Sequence, residues 1–169
     1  MKTAHIGAAG ELLVQYRLLK HGIDSAAMTI DDVIDLVAYS PRLRDAVTIQ
    51  VKTINQPKPG GGKGKLANNW RLRESSPATL VALCDLSTDR TWIFRHEEFV
   101  KEAQQHSRGT AHLYFYVDRT ARVPSHSMEA HFDRYLIERR IEELFGSAEP
   151  AMPNETQSKV HPLGTHDGP

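Results

Sequence analysis

The chain has 169 residues, a length suited to one domain with its own hydrophobic core. Apolar residues make up 40% and charged residues 25%, and the lone cysteine, Cys84, excludes an intramolecular disulfide and a cysteine-based zinc site. Lys plus Arg (21) equals Asp plus Glu (21), which excludes a wholly basic nucleic-acid coat protein but not a local basic patch.

Taken in chain order, residues 7–21 predict a helix, with Leu12, Leu13, Tyr16 and Leu19 at helical spacing and Gly22 placed to end it. Residues 25–30 predict a short strand, and VIDLVAY (33–39) a second one, apolar except for Asp35. After Ser40-Pro41, VTIQVKT (47–53) alternates: Val47, Ile49 and Val51 on one face, Thr48, Gln50 and Lys52 on the other. The glycine- and proline-rich stretch 54–69 predicts a flexible flap. Residues 79–86 and 91–95 predict a hairpin, 97–106 a helix and 112–117 a strand. The segment 128–145 predicts a last helix with two apolar stripes, Met128, Phe132, Tyr135 and Leu136 against Ile137, Ile141, Leu144 and Phe145. Such a helix is either kinked or bridges its own core and a second subunit, which makes it a candidate dimer element. The expected organisation is a mixed α/β domain over 1–145 and a disordered tail over 146–169. No uncharged run approaches the ~18 residues of a membrane span, and the N-terminus lacks the apolar core of a secretory signal, so a cytoplasmic protein with no membrane partner is expected.

A carboxylate inside an apolar strand costs several kcal/mol if buried alone, roughly. Asp35 therefore calls for a cation or a metal. Lys52 lies on the next strand, and Gln50 shares its face. Asp35, Gln50, Glu11 and a backbone carbonyl form an oxygen set suited to Mg²⁺. Taken singly, each residue has a plainer role. Asp35 could pair with Lys52 or Arg42, Glu11 could be a helix N-terminal acid, and Lys52 a solvated strand residue.

Helix Glu11, strand Asp35 and the Gln50-Val51-Lys52 triplet, in this order, resemble the PD-(D/E)XK nuclease superfamily, which has the restriction-endonuclease-like fold. IQVKT is most similar to the branch with Gln in place of the acid, which includes group I intron homing endonucleases. That branch also opens on a GxxxE helix, here Gly7 to Glu11, and often carries a Trp-containing hairpin, here Trp92. The resemblance spans about residues 7–95. The family's Pro is Ile34 here, and Gln50 adds no charge. The resemblance implies a mixed sheet flanked by helices and hydrolysis of DNA phosphodiester bonds with Mg²⁺ (or Mn²⁺). It implies a metal held by Asp35, Gln50, the Val51 carbonyl and Glu11, with Lys52 stabilising the pentacoordinate phosphate or lowering the pKa of the attacking water.

From Val51 to Arg73 there is no acid. Lys58, Lys63, Lys65, Arg71 and Arg73 fall in this window and are the expected DNA contacts, with Trp70 and the amides of Gly60, Gly61 and Gly62 as added contacts. GGGKGKL is not a P-loop, because no Ser or Thr follows either lysine. Cys84 reads as an inert core thiol. The competing readings are a non-catalytic DNA-binding or interaction module that retains the nuclease fold, and a protein with no nucleic-acid role, in which 51–73 is a solvated loop.

Overall fold

The computed structural model describes residues 2–29, 33–60 and 64–146. Lys63, Gly61, Gly62 and the tail 147–169 lie outside the described residues, and the expectations for them with it. Helix α1 spans Thr3–Leu19. It ends in a Schellman arrangement: Gly22 takes φ +72, its N–H donates to the Leu19 carbonyl, and the Ile23 N–H donates back to the Leu18 carbonyl at 3.1 Å. The buried face of α1 is Gly10, Val14 and Leu18. The expected core stripe is corrected here, since Leu12, Tyr16 and Leu19 are each more than half exposed. The cause is Gly10. A Cβ at this position would come within 1.8 Å of Thr53 Oγ1, so the missing side chain lets the helix settle on that side, about 200° from Leu12 at ~100° per residue.

The strands are β1 (Asp24–Ala27), β2 (Leu36–Tyr39), β3 (Val47–Ile54), β4 (Lys58–Gly60), β5 (Lys65–Arg73), β6 (Leu80–Asp85), β7 (Arg90–Arg95), β8 (Gln105–Ser107) and β9 (Thr110–Tyr116). Among the described residues they form two sheets, one of five strands in the order β1-β2-β3-β6-β7 and one of four in the order β4-β5-β9-β8. Strands β3 and β6 are parallel; the other pairs are antiparallel. The expected mixed α/β class is the one observed. The predicted flap is only partly a loop: residues 55–56 are a bend and 64 is a turn, but Lys58–Gly60 forms β4 and pairs with the start of β5 at Lys65 to Ala67. Nor is Trp70 a stacking residue for DNA, since it is buried against Trp92 and Phe115. The helix expected over 97–106 is α2 (His96–Glu102), and Gln105–Ser107 turns into β8.

The molecule has three layers. Alpha helices α1 and α3 (Ile137–Phe145) cover one face of the first sheet with a core of Val14, Leu18, Ile49, Val51, Ile141 and Phe145. The second core lies between the sheets and is built from Trp70, Leu72, Val81, Leu83, Trp92, Phe94, Leu113 and Phe115. Strand β6 lies between the layers and is buried along its whole length, matching its unbroken apolar sequence. The last segment is broken. Glu129–Tyr135 is a 3-10 turn, Leu136 is extended (ψ 134) and bridges to Trp92, and α3 follows. Phe132 and Tyr135 enter the second core, while Ile137, Ile141, Leu144 and Phe145 enter the first. The kinked alternative is the one observed: these residues of both stripes are buried within the chain. No described helix is long and apolar enough to cross a membrane.

Candidate functional site

Asp35 does not lie inside a strand; it immediately precedes β2. Leu36 is the register partner of Ile49, and the Asp35 N–H also donates to the Ile49 carbonyl at 3.0 Å. Two residues facing one is the arrangement of a β-bulge, which re-aims a side chain. The side chain so re-aimed accepts a hydrogen bond at Oδ2 from the Val51 N–H at 2.6 Å. The Asp35 carbonyl accepts from the Met28 N–H at 2.9 Å, so its backbone is held from both neighbouring segments. Ile49 presents its carbonyl toward β2, and by the two-residue period of a strand Val51 presents its own carbonyl on the same edge.

Glu11 reaches this edge from α1. Gly10, one residue before it, rests on Thr53, two residues beyond Val51. Burial pushes the Glu11 carboxyl above its ordinary range, and the neighbouring Asp35 charge pushes it further the same way. The Asp35 charge acts on Glu11, and the Asp35 carboxylate is tied to Val51 of the same strand edge. The two carboxylates and the Val51 carbonyl are hard oxygen donors, and the repulsion felt by Glu11 is what a divalent cation would relieve, so the set fits Mg²⁺ or Mn²⁺. Among the described residues no group of three His, Cys, Asp or Glu comes together, so a cation here would draw on carbonyl or amide oxygen as well.

Gln50 and Lys52 project from the other face of β3 into a cleft of about 410 Å³ between the two sheets. Arg71, Leu72 and Arg73 of β5 and Thr110 of β9 line it from the second sheet, and Val33 lines it from the segment before β2. Gln50 is buried, and its Oε1 accepts a hydrogen bond from the Ser76 hydroxyl at 3.0 Å. Lys52 is half-buried, and among the described residues no acid lies within ion-pair distance of it. Glu11 and Asp35 are not among the residues lining the cleft. Strand β3 therefore divides the predicted constellation: Asp35 is tied to its edge, and Gln50 and Lys52 stand on its cleft face. Arg42, the other cation proposed for Asp35, donates instead to the Gly146 carbonyl at 3.2 Å.

Of the predicted DNA contacts, Lys58, Arg71 and Arg73 are exposed. Lys65 is partly neutralised by Asp118 at 3.5 Å and donates to the Thr120 hydroxyl. Sequence inspection misses Ser76, because it lies in a loop 26 residues from Gln50 with no motif around it. It also misses that Arg71 and Arg73 come to line the cleft of Lys52; the alternation Asn69, Arg71, Arg73 against Trp70, Leu72 shows only that they lie on the solvent face of their strand.

No family model matches the chain, and no curated protein matches it. Among solved structures, it is similar to a bacterial homing endonuclease, I-Ssp6803I, with a TM-score of 0.50 and 16% sequence identity over 75% of this chain and 86% of that chain. At that identity the likeness is one of fold: this mixed α/β architecture is shared with a nuclease.

Proposed function

We propose that this chain is a divalent-metal-dependent DNA endonuclease of the PD-(D/E)XK type, hydrolysing phosphodiester bonds. The observation that carries it is the double use of β3. Its edge holds Asp35, whose charge acts on Glu11, and its face carries Lys52 into a cleft lined also by Arg71 and Arg73. A cleft with three cations suits a phosphodiester backbone, and the fold shared with a homing endonuclease raises the prior for DNA.

Glu11, Asp35 and the Val51 carbonyl, at the edge of β3, are the groups that would hold Mg²⁺ or Mn²⁺, while Gln50 stands on the cleft face of the same strand. The metal's chemistry is Lewis-acid polarisation of the phosphate and a lowered pKa for bound water. Asp35 keeps its carboxylate in place through the Val51 N–H. Ser76 fixes the orientation of the Gln50 amide by donating to Oε1. Lys52 places its ammonium where negative charge grows on the phosphate in the transition state. Arg71 and Arg73, with Lys58, seat the backbone as positioning contacts.

The test is conversion of supercoiled plasmid to nicked circles with Mg²⁺ or Mn²⁺, against EDTA. Metal-dependent nicking is expected. Salt-sensitive DNA binding with no nicking in any metal would overturn catalysis and identify the fold as a DNA-binding module. Neither binding nor nicking would remove DNA from the reading altogether.

A further inference from the structure

The second sheet has a property that the cleft does not require. Its four strands contain no Asp or Glu, although the whole chain is electrically balanced. The outer face carries a lattice set by the strand register. Arg71 lies beside His112, which lies beside Gln105, in one row across β5, β9 and β8; Asn69 lies beside Tyr114 in the next row. Asn69, Arg71 and Gln105 are exposed. Two shallow depressions of about 310 and 370 Å³ share Arg71, Gln105 and His112, and Arg71 also lines the cleft of Lys52. The surface is therefore continuous from the candidate site onto the sheet.

The polar groups of this row are arranged rather than scattered. His112 Nδ1 lies 3.3 Å from Gln105 Oε1, and Nε2 is buried with no partner. Burial, and then the charge of Arg71, lowers the His112 pKa, which favours the neutral ring. At the β8–β9 turn, Arg108 takes φ +50 ahead of Gly109 at φ +72. That turn normally takes Asn, Asp or Gly at its first position, and here it presents an exposed guanidinium in the same depression as Arg71.

We propose that the outer face of this sheet is a sequence-reading surface for duplex DNA, in which Asn69, Gln105 and Arg108 contact base edges in the major groove while Arg71 ties the groove to the cleft. The proposal rests on the DNA reading above. Three neighbouring strands span about 10 Å at ~4.8 Å per spacing, which fits a major groove about 12 Å wide. Same-face residues recur every ~6.8 Å along a strand, or two base steps of ~3.4 Å. Amide side chains match the adenine edge and guanidinium the guanine edge. Lys58, on β4 at the far flank of β5, falls outside that width, where a phosphate ridge would run.

The test selects bound sequences from a pool of randomised duplex oligonucleotides, using the full chain in Ca²⁺ and separately in EDTA. Wild type is compared with Asn69→Ala, Gln105→Ala and Lys58→Ala, each checked for fold by circular dichroism. Wild type is expected to enrich a motif. Each amide variant should lose about tenfold of the preference at its own base positions, the scale of one bidentate contact. Lys58→Ala should weaken all sequences alike and reduce the salt slope by about one. An unchanged motif in both amide variants overturns the proposal, as does salt-sensitive binding by wild type with no motif; metal-dependent nicking would then still leave the nuclease reading standing. A motif that shifts in the amide variants of a chain that never nicks supports the surface and overturns catalysis instead. No DNA binding at all overturns both.

Discussion

Glu11 is the residue on which burial and a like charge act in the same direction. Both favour its protonated form, so its pKa in the folded chain lies above that in the unfolded chain. The stability linked to such a group is fully present below the ordinary glutamate range and is lost as pH rises through the folded pKa. At neutral pH an ionised Glu11 therefore opposes folding unless a cation joins it. Glu11→Gln is expected to raise Tm above wild type at about pH 7 in EDTA, with the gap closing as pH falls toward about 4. Adding Mg²⁺ should raise the wild-type Tm more than that of the variant. Calorimetric scans across pH, with and without metal, check this; a variant less stable than wild type at neutral pH would contradict the electrostatic assignment. The Asp35–Val51 hydrogen bond works the other way, fixing a carboxylate that could otherwise turn from the strand edge.

At the scale of elements, the site depends on how closely α1 approaches β3. Gly10 against Thr53 sets that approach, and Glu11 follows it by one residue. Gly10→Ala is expected to cost about 1–3 kcal/mol, the usual cost of overpacking, measured as a fall in the urea midpoint. A midpoint at or above wild type would show that the helix does not need this contact. The elements that sequence made legible are those whose signal is local. The β6–β7 hairpin shows as two apolar runs flanking Ser87 to Arg90, and β3 shows by its alternation. Strand β5 was hidden because the glycines and prolines around Lys58 to Lys65 carry the turn signal, while its sheet partner, β9, lies far along the chain. The break at Leu136 has no Pro or Gly to mark it. It is imposed by the bridge to Trp92 and by two cores on different sides of one segment. The core face of α1 is not legible in the sequence because a glycine, invisible to a hydrophobic pattern, decides it.

At the scale of the molecule, the proposed function depends on two sheets being held face to face. Trp70, Trp92 and Phe115 lock them, with ring centroids 5.1–5.8 Å apart. Buried Asp85 adds a polar tie, accepting from Asn68 of the second sheet and from Ser87 and Thr88 of its own turn. That clamp brings Lys52 of one sheet and Arg71 and Arg73 of the other to one cleft. The order Glu11, Asp35, Gln50, Lys52 was legible because a motif is linear. The lining from the second sheet was not, since it exists only once two distant strands pack. The most direct measurement is cleavage by Asp35→Asn, with DNA binding measured on the same protein. Asparagine keeps an oxygen for the Val51 N–H and removes the charge. Cleavage is expected to fall at least about 100-fold, equivalent to about 2.7 kcal/mol in the barrier, with DNA affinity within about twofold of wild type. Cleavage retained at the wild-type rate would contradict the assignment of Asp35, and with it the site.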